Sequence, residues 1–158
     1  MNDDALLLLE NQMCFALYAA SRAMTKAYEP LLSSLGVTYP QYLVMLVLWE
    51  KSPLSVKALG ERLQLDSGTL SPLLQRLEKQ GLVERARSAA DERVVEIHLT
   101  APGKRLRQKA LSIPKALACQ FGLTLPEISR MRSDLRRLTE SLRSTPTGME
   151  PDPTKETP

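Results

Sequence analysis

The chain has 158 residues, of which 43% are apolar and 25% charged, with a net charge of +3. That is enough chain to bury a real core, and aromatic residues at only 4% make the core aliphatic. Two distant cysteines, a single histidine and no long apolar run argue against a disulfide scaffold, a histidine-based metal cluster or triad, and a membrane span; a cytoplasmic protein with no cofactor, no metal and no secretory leader is expected.

Asp3 or Asp4 can cap a first helix, which the spacing of Leu9, Met13, Leu17, Ala20 and Met24 carries from Leu6 through Leu32, with Pro30 bending or breaking it near its end. An apolar stripe that long exceeds what one small domain needs, so part of it is expected against a partner subunit. Cys14 lies in this helix. A free cysteine is either a small packing residue or a redox group. Tyr18, four residues on, shares its face, and a phenol that donates a hydrogen bond to a thiolate favours it. Peroxide converts a thiolate to a sulfenic acid, and a second thiol such as Cys119 can trap that as a disulfide. Tyr28 lies further along, and Tyr39 begins the next helix. Thr38-Tyr39-Pro40 opens that helix, which runs to Glu50 with apolar residues almost all round and is expected to be buried.

After the turn at Lys51-Ser52-Pro53, Ser55 caps a short helix bearing Val56, Leu59 and Leu63. Asp66 or Ser67 caps the next, where Leu70, Leu73, Leu74 and Leu77 make one stripe and Ser71, Pro72, Gln75, Arg76 and Lys79 the opposite face. Gly81 supplies the left-handed residue that ends it. Leu82–Arg85 and Arg93–Leu99 are rich in strand formers, and the segment between them is polar and charged. Two helices and a hairpin in this order make a helix-turn-helix with a wing. The second helix is shaped for a major groove, and the wing for the flanking backbone or minor groove.

The candidate DNA contacts follow. Ser67, Thr69, Ser71 and Gln75 suit phosphates or base edges, and Arg76 can reach a guanine edge or a phosphate. Pro72 either offers an apolar surface to a thymine methyl or sits without a role near the first turn. Arg85 and Arg87 are expected at phosphates. Arg93 is the candidate for minor-groove insertion, oriented by Asp91, the alternative being a plain exposed ion pair. Between Lys51 and His98 there are eight basic and seven acidic residues, so affinity must come from placement. His98, on a wing strand, is given no role.

Beyond the wing, Thr100-Ala101-Pro102 starts a helix running to about Cys119, kinked by Pro114. Thr124 and Glu127 form a capping box for a last helix to about Arg143, with Ile128, Met131, Leu135, Leu138 and Leu142 as its stripe. Residues 145–158, rich in proline, are expected to be a disordered tail. The expected fold class is therefore mainly α with a small β wing. Residues 1–144 form the fold, in which 53–99 are the winged helix-turn-helix lobe and 1–35 with 103–144 form a two-fold dimerisation region. Such a dimer presents two recognition helices about 34 Å apart to an inverted-repeat operator in double-stranded DNA.

Asp66-Ser67-Gly68-Thr69-Leu70-Ser71-Pro72, Arg76-Leu77-Glu78-Lys79-Gln80-Gly81-Leu82-Val83 and the Asp91-Glu92-Arg93 wing tip resemble the winged-helix core of the MarR family of repressors. The segments LENQMCFALYAASRAMTKAYEPLL and VTYPQYL resemble the peroxide-sensing end of that family's organic-hydroperoxide branch, the likeness running from about Leu9 to Leu142. The resemblance implies a homodimeric repressor, not an enzyme. It implies that Cys14 is the peroxidatic cysteine, that Tyr28 and Tyr39 of the other subunit bond to it, and that Tyr18 helps line the pocket. It also implies that Cys119 is the resolving cysteine of the two-cysteine type, forming an intersubunit disulfide that releases the operator. Phe15, Leu17, Met24 and Leu43 are candidates for an aliphatic lining that prefers organic hydroperoxides as inducer. The alternative is a repressor of the same fold gated by a small apolar or phenolic ligand, with Cys14 only packing. A thiol peroxidase lacks any further catalytic group, and the wing argues against a helical adaptor.

Overall fold

The computed structural model describes residues 3–144; the expected tail at 145–158 lies outside the described residues. The fold is mainly helical with one small sheet, as expected. Its contacts divide it into two compact units, one ending at Leu117 and one beginning at Ala118.

The first unit opens differently from the expected single helix. A short α1 (Asp3–Leu6) and a 3-10 turn (Leu9–Asn11) precede α2 (Met13–Ser33), whose N-cap Gln12 has extended backbone. The reason is local competition by side-chain amides. Asn11 Nδ2 donates to the Ala5 carbonyl at 2.7 Å, and Gln12 Nε2 donates to the carbonyls of Leu6 and Leu8. Pro30 does not break α2, because it lies so near the end that a single backbone bond is lost and the helix closes at Ser33.

Helix α3 (Tyr39–Glu50) starts behind Thr38, whose backbone N–H donates to Gln41 Oε1 at 2.8 Å. It forms the middle of the core. Gln41, Tyr42, Val44, Met45, Val47 and Leu48 are buried, while Leu46 stays exposed. Helix α4 (Val56–Leu63) is capped by Ser55, which accepts from the Ala58 N–H. Helix α5 (Ser67–Lys79) is capped by Asp66, which accepts from the Thr69 N–H at 2.9 Å. The expected stripe of α5 is buried at all four positions, Leu70, Leu73, Leu74 and Leu77. Gly81, at φ +69°, ends it: its N–H reaches Glu78 and the next N–H, Leu82, reaches Leu77, so the last carbonyls are satisfied.

The wing contains three strands rather than two. Strand β2 (Val83–Arg87) pairs with β3 (Val95–Leu99), and β3 pairs on its other side with β1 (Leu54–Ser55), all antiparallel in the order β1-β3-β2. A two-residue strand adjoining a helix cap carries no alternation, which is why the sequence does not announce it.

Helix α6 (Ala101–Ala110) is joined tightly to this sheet. Thr100 Oγ1 accepts from the Gly103 N–H and donates to the Gly81 carbonyl at 2.6 Å; the Trp49 indole donates to the Gly103 carbonyl at 2.9 Å. The expected kink at Pro114 is a full break: α6 ends at Ala110 and α7 (Ile113–Phe121) begins afresh. The pyrrolidine ring clashes with the carbonyl four residues back, which is that of Ala110.

The second unit holds the end of α7 and α8 (Leu125–Ser144). The expected capping box is formed, with Thr124 N–H donating to Glu127 Oε2 at 2.7 Å and Glu127 N–H returning to Thr124 Oγ1. The Thr124 hydroxyl also donates to Glu127 Oε2 at 2.6 Å, and this bond with that from the Thr124 N–H holds the Glu127 carboxyl below the usual range. No residue of α8 is buried, and Met131, Leu135 and Leu142 are exposed.

Candidate functional site

Two groups of residues stand out in the first unit, one on the α5–wing surface and one on α2. On α5 the buried leucines fix which side faces outward, and Ser67, Thr69, Pro72, Gln75 and Arg76 are all exposed on that side. Ser71 is half-buried. Asp66 is tied to Thr69 twice, through the backbone N–H and through the hydroxyl at 2.9 Å, and these bonds hold its carboxyl below the usual range. The negative charge at this cap is therefore engaged within the helix start, leaving Thr69 oriented on the outer face. Pro72 lies inside α5 without ending it, and its ring is exposed.

The arginines expected together at the wing separate into three positions. Arg85 does not face outward. On β2 it shares the inner side with buried Val83, and its Nη2 donates to the Ser71 carbonyl at 3.3 Å while Nε stands 3.5 Å from Glu78 Oε2. Its guanidinium therefore braces β2 against α5. The two-residue alternation from Val83 carries that signal. Arg87, at the end of β2, donates to the Glu92 carbonyl at 2.8 Å and closes the base of the wing turn. Arg93 lies outside the strand, in the turn, with its side chain 91% exposed. Asp91 holds it there: Oδ1 accepts from the Arg93 N–H and Nε, and Oδ2 accepts from Nη2 at 3.3 Å. The Arg93 guanidinium in turn holds the Asp91 carboxyl below its ordinary value. The wing tip is thus a fully exposed cation on a short, pre-set acidic stem.

On α2, the break before Met13 puts Cys14 in the first helical turn. Cys14 and Cys119 are both exposed free thiols. Tyr18 is exposed; its hydroxyl accepts from Arg22 Nη1 at 2.8 Å. Tyr28 is fourteen residues beyond Cys14, about 21 Å along the helix axis. There it meets Tyr39 at a ring-centroid distance of 4.5 Å and Tyr42 at 5.9 Å, and Tyr42 in turn meets Trp49 edge-on at 6.1 Å. Burial, then the neighbouring Tyr39 and Tyr42, push the Tyr28 phenol up to about 12, and burial also raises Tyr39 and Tyr42. All three are therefore neutral hydrogen-bond donors throughout the ordinary pH range. Tyr42 is absent from the expected site, although its place three residues after Tyr39 on a helix signals a shared face.

The aliphatic residues considered for a lining remain open within one chain. Phe15 and Met24 are exposed and Leu17 and Leu43 half-buried. A separate groove of about 670 Å³ runs between the end of α2, the start of α3 and the last turn of α5, touching Leu32, Val37, Tyr39, Pro40, Arg76 and Lys79. Among the described residues there is no group of three or more His, Cys, Asp or Glu side chains able to hold a metal ion, and no helix is long and apolar enough to cross a membrane.

Comparison with known proteins supplies the context for this geometry. Residues 26–110 match the family described as Transcriptional regulator SarA/Rot. The chain is 52% identical over 134 residues to an organic hydroperoxide resistance transcriptional regulator of Bacillus subtilis, a match covering 85% of this chain and 91% of that one. Among solved structures it is similar to reduced AbfR bound to DNA, a regulator of Staphylococcus epidermidis, with a TM-score of 0.73 and 35% identity over 91% of this chain and all of the other. It is also similar to the disulfide-formed state of AbfR, at a TM-score of 0.58 and 36% identity over 85% of this chain and 90% of that one.

Proposed function

The chain belongs to the MarR and SarA/Rot type of winged-helix transcriptional regulators, in the branch of the organic hydroperoxide resistance regulators, and from that premise we propose that it is a homodimeric, two-cysteine peroxide-sensing repressor. Residues 53–99 form the DNA-reading lobe, and residues 1–35 and 103–144 form the dimerisation region. Two α5 helices enter successive major grooves of an inverted repeat in double-stranded DNA. Ser67, Thr69, Ser71, Pro72, Gln75 and Arg76 lie toward bases and phosphates, Arg87 and Arg93 meet the flanking backbone or minor groove, and Asp91 aims Arg93.

The inducer is an organic hydroperoxide, ROOH. The Cys14 thiolate attacks its terminal oxygen; the O–O bond breaks, ROH leaves after protonation, and Cys14 becomes a sulfenic acid. The thiol of Cys119 from the other subunit then attacks that sulfur, forming the disulfide and releasing water. The bridge holds the two winged lobes at a spacing that no longer fits the operator.

One observation carries the reading. Cys14 and the Tyr28–Tyr39 pair lie about 21 Å apart along α2, so they can meet only when a second copy supplies one of them. The surface agrees with such a pairing. Leu6, Leu7, Leu8, Leu9, Met13, Phe15 and Met24 are exposed around Cys14, far more apolar surface than a monomer tolerates at one end. The phenols of Tyr28 and Tyr39, neutral and half-buried, then serve as donors to the sulfur, with Tyr18 beside it.

The test is a binding titration on an inverted-repeat operator, with the reduced protein and again after one equivalent of cumene hydroperoxide, alongside non-reducing electrophoresis. Loss of binding together with a covalent dimer is the expected result. Loss of binding without the dimer removes Cys119 from the mechanism. Persistent binding with Cys14 still reduced overturns the redox reading. The groove above α5 favours a second reading, in which a small apolar or phenolic ligand seated there displaces Arg76 from DNA. Cys14→Ser separates the two: the redox sensor keeps operator binding and ignores peroxide, whereas a ligand-gated repressor keeps both operator binding and its response to the ligand.

A further inference from the structure

From Ile97 to Pro126 the chain runs without a carboxylate, yet it carries five lysines and arginines: Lys104, Arg105, Arg107, Lys109 and Lys115. Four of them stand on α6. Gly103 and Ala110 are buried and Leu106 is half-buried, so α6 commits one side to the lobe. Between Lys104 and Lys109 every exposed residue is basic or an amide. Elsewhere Arg62, Arg85, Arg93 and Arg137 each face a carboxylate, whereas the α6 cations have no ion-pair or hydrogen-bond partner among the described residues. Their charge also works against the helix. Lys104 with Arg107 and Arg105 with Lys109 are like-charge neighbours three and four residues apart, and no acidic residue in the first turn offsets them. Local structure therefore gives no reason for this concentration of charge.

Charge without an apolar anchor suits a phosphate backbone, where each contact needs only a cation. A protein partner asks for aromatic or aliphatic side chains at the centre of its footprint, and this face offers none. The phosphates beneath α5 and the wing are out of reach. Helix α6 starts behind Thr100, whose hydroxyl bonds to the Gly81 carbonyl just past the end of α5. The thirteen residues of α5 put Ser67 about 20 Å from that point. The five residues of β3 put the wing turn about 17 Å from it. We propose that the outer face of α6 binds the backbone of a second, separate DNA duplex, so that the regulator bridges its operator to another DNA segment. The Trp49–Gly103 and Thr100–Gly81 bonds fix α6 to the winged lobe, so the second duplex is held at a set place on it. The inference rests on the reading of α5 and the wing as the operator-binding surface, and on nothing at Cys14.

In the experiment, beads carrying a short inverted-repeat operator are loaded with the reduced full-length protein, washed, and offered a fluorescent duplex of unrelated sequence at a series of salt concentrations. The parent is expected to retain that duplex, with log capture falling against log salt at a slope of about −3 to −4, as four phosphate contacts require. The combined variant Lys104→Gln, Arg105→Gln, Arg107→Gln, Lys109→Gln is expected to cut capture at least about tenfold while keeping operator affinity within about twofold. Its melting temperature should be parental or higher, because like-charge pairs are relieved. Arg105→Lys with Arg107→Lys keeps the charge and should capture as the parent does. If the combined variant melts early, single Lys104→Gln and Arg105→Gln decide the matter, each lowering the capture slope by about one. Parental capture by the glutamine variants, or no capture by the parent at low salt, overturns the proposal. So does retention of polyglutamate but not of the duplex, which identifies an acidic polypeptide as the partner. A folded glutamine variant that loses operator affinity also overturns it, placing α6 on the operator itself or, if only long fragments show the loss, on its flanks. If the parent does not distinguish the inverted repeat from unrelated DNA while bridging still depends on α6, the operator reading falls and the second DNA contact stands.

Discussion

Gly103→Ala tests the joint between the winged lobe and the helices that follow it. A methyl placed on Gly103 would stand 2.0 Å from the Leu82 carbonyl oxygen, 3.1 Å from its carbon and 3.2 Å from Leu99 Cδ2. The obstacle is backbone, and that oxygen already accepts the Thr100 N–H at 3.2 Å. Relief requires α6 to withdraw by about an ångström, which stretches the Trp49–Gly103 bond of 2.9 Å and the Thr100–Gly81 bond of 2.6 Å together. Overpacking of this kind costs about 1–3 kcal/mol, and a weakened hydrogen bond adds about 1 kcal/mol. Alanine's better helix propensity returns about 1 kcal/mol. The net loss is about 1–3 kcal/mol, or roughly 3–10 °C in melting temperature for a chain of this size. Thermal and urea unfolding followed by circular dichroism measure it, and the fluorescence of Trp49, the sole tryptophan, reports the broken indole bond. A Gly103→Ala protein that melts at or above the parental temperature, as propensity alone demands, refutes this reasoning.

Arg93→Ala is expected to weaken operator binding and to lower the slope of log affinity against log salt by about one, since one exposed cation is lost; an unchanged slope removes Arg93 from the interface. Gly81→Ala meets no atom within 4 Å, so its cost, read from urea midpoints, is that of left-handed backbone alone, about 1–2 kcal/mol; no loss would show that the helix end had relaxed. The raised Tyr28 phenol predicts alkaline instability: the unfolded chain releases this proton near its ordinary value of 10, the folded chain near 12, so stability is whole below about 10 and falls as pH rises between the two. Tyr28→Phe should flatten that part of the urea-midpoint profile, and an unaltered profile contradicts the assignment. Cys119→Ser is expected to let Cys14 oxidise without a covalent dimer, as read by mass spectrometry and non-reducing gels; a dimer that still forms excludes Cys119 as the resolving thiol.

The winged lobe was legible because its signals are local and agree with one another. Ser55, Asp66 and Gly81 each mark a helix end by a bond within a few residues, and the four leucines of α5 fix its buried side by spacing alone. The misses were of two kinds. At the N-terminus the apolar spacing across Leu9 and Met13 reads as one helix, but it is silent on Asn11 and Gln12, whose amides take the carbonyls of α1 and force a new start. At β1 the element exists only because β3 is already beside it, so no pattern in Leu54-Ser55 itself could disclose it. Arg85 is a different case: its alternation with Val83 is in plain view in the sequence and places it on the inner side of β2, against α5.

The thiol site divides along the same line. Its residue types were readable, because a cysteine four residues before a tyrosine on an apolar helix is a local fact. Its geometry was not, because α2 carries Cys14 at one end and Tyr28 at the other, and a straight helix cannot fold one onto the other. The new helix start at Met13 sharpens this. It puts Cys14 in the first helical turn, exposed, and leaves the phenols far down the same helix. Under the proposed sensing mechanism, a single chain holds two half-sites that are of no use to each other. A two-fold axis crossing α2 between them would turn both into complete sites at once, and the exposed Phe15 and Met24 lie along the stretch of helix where such an axis would have to pass.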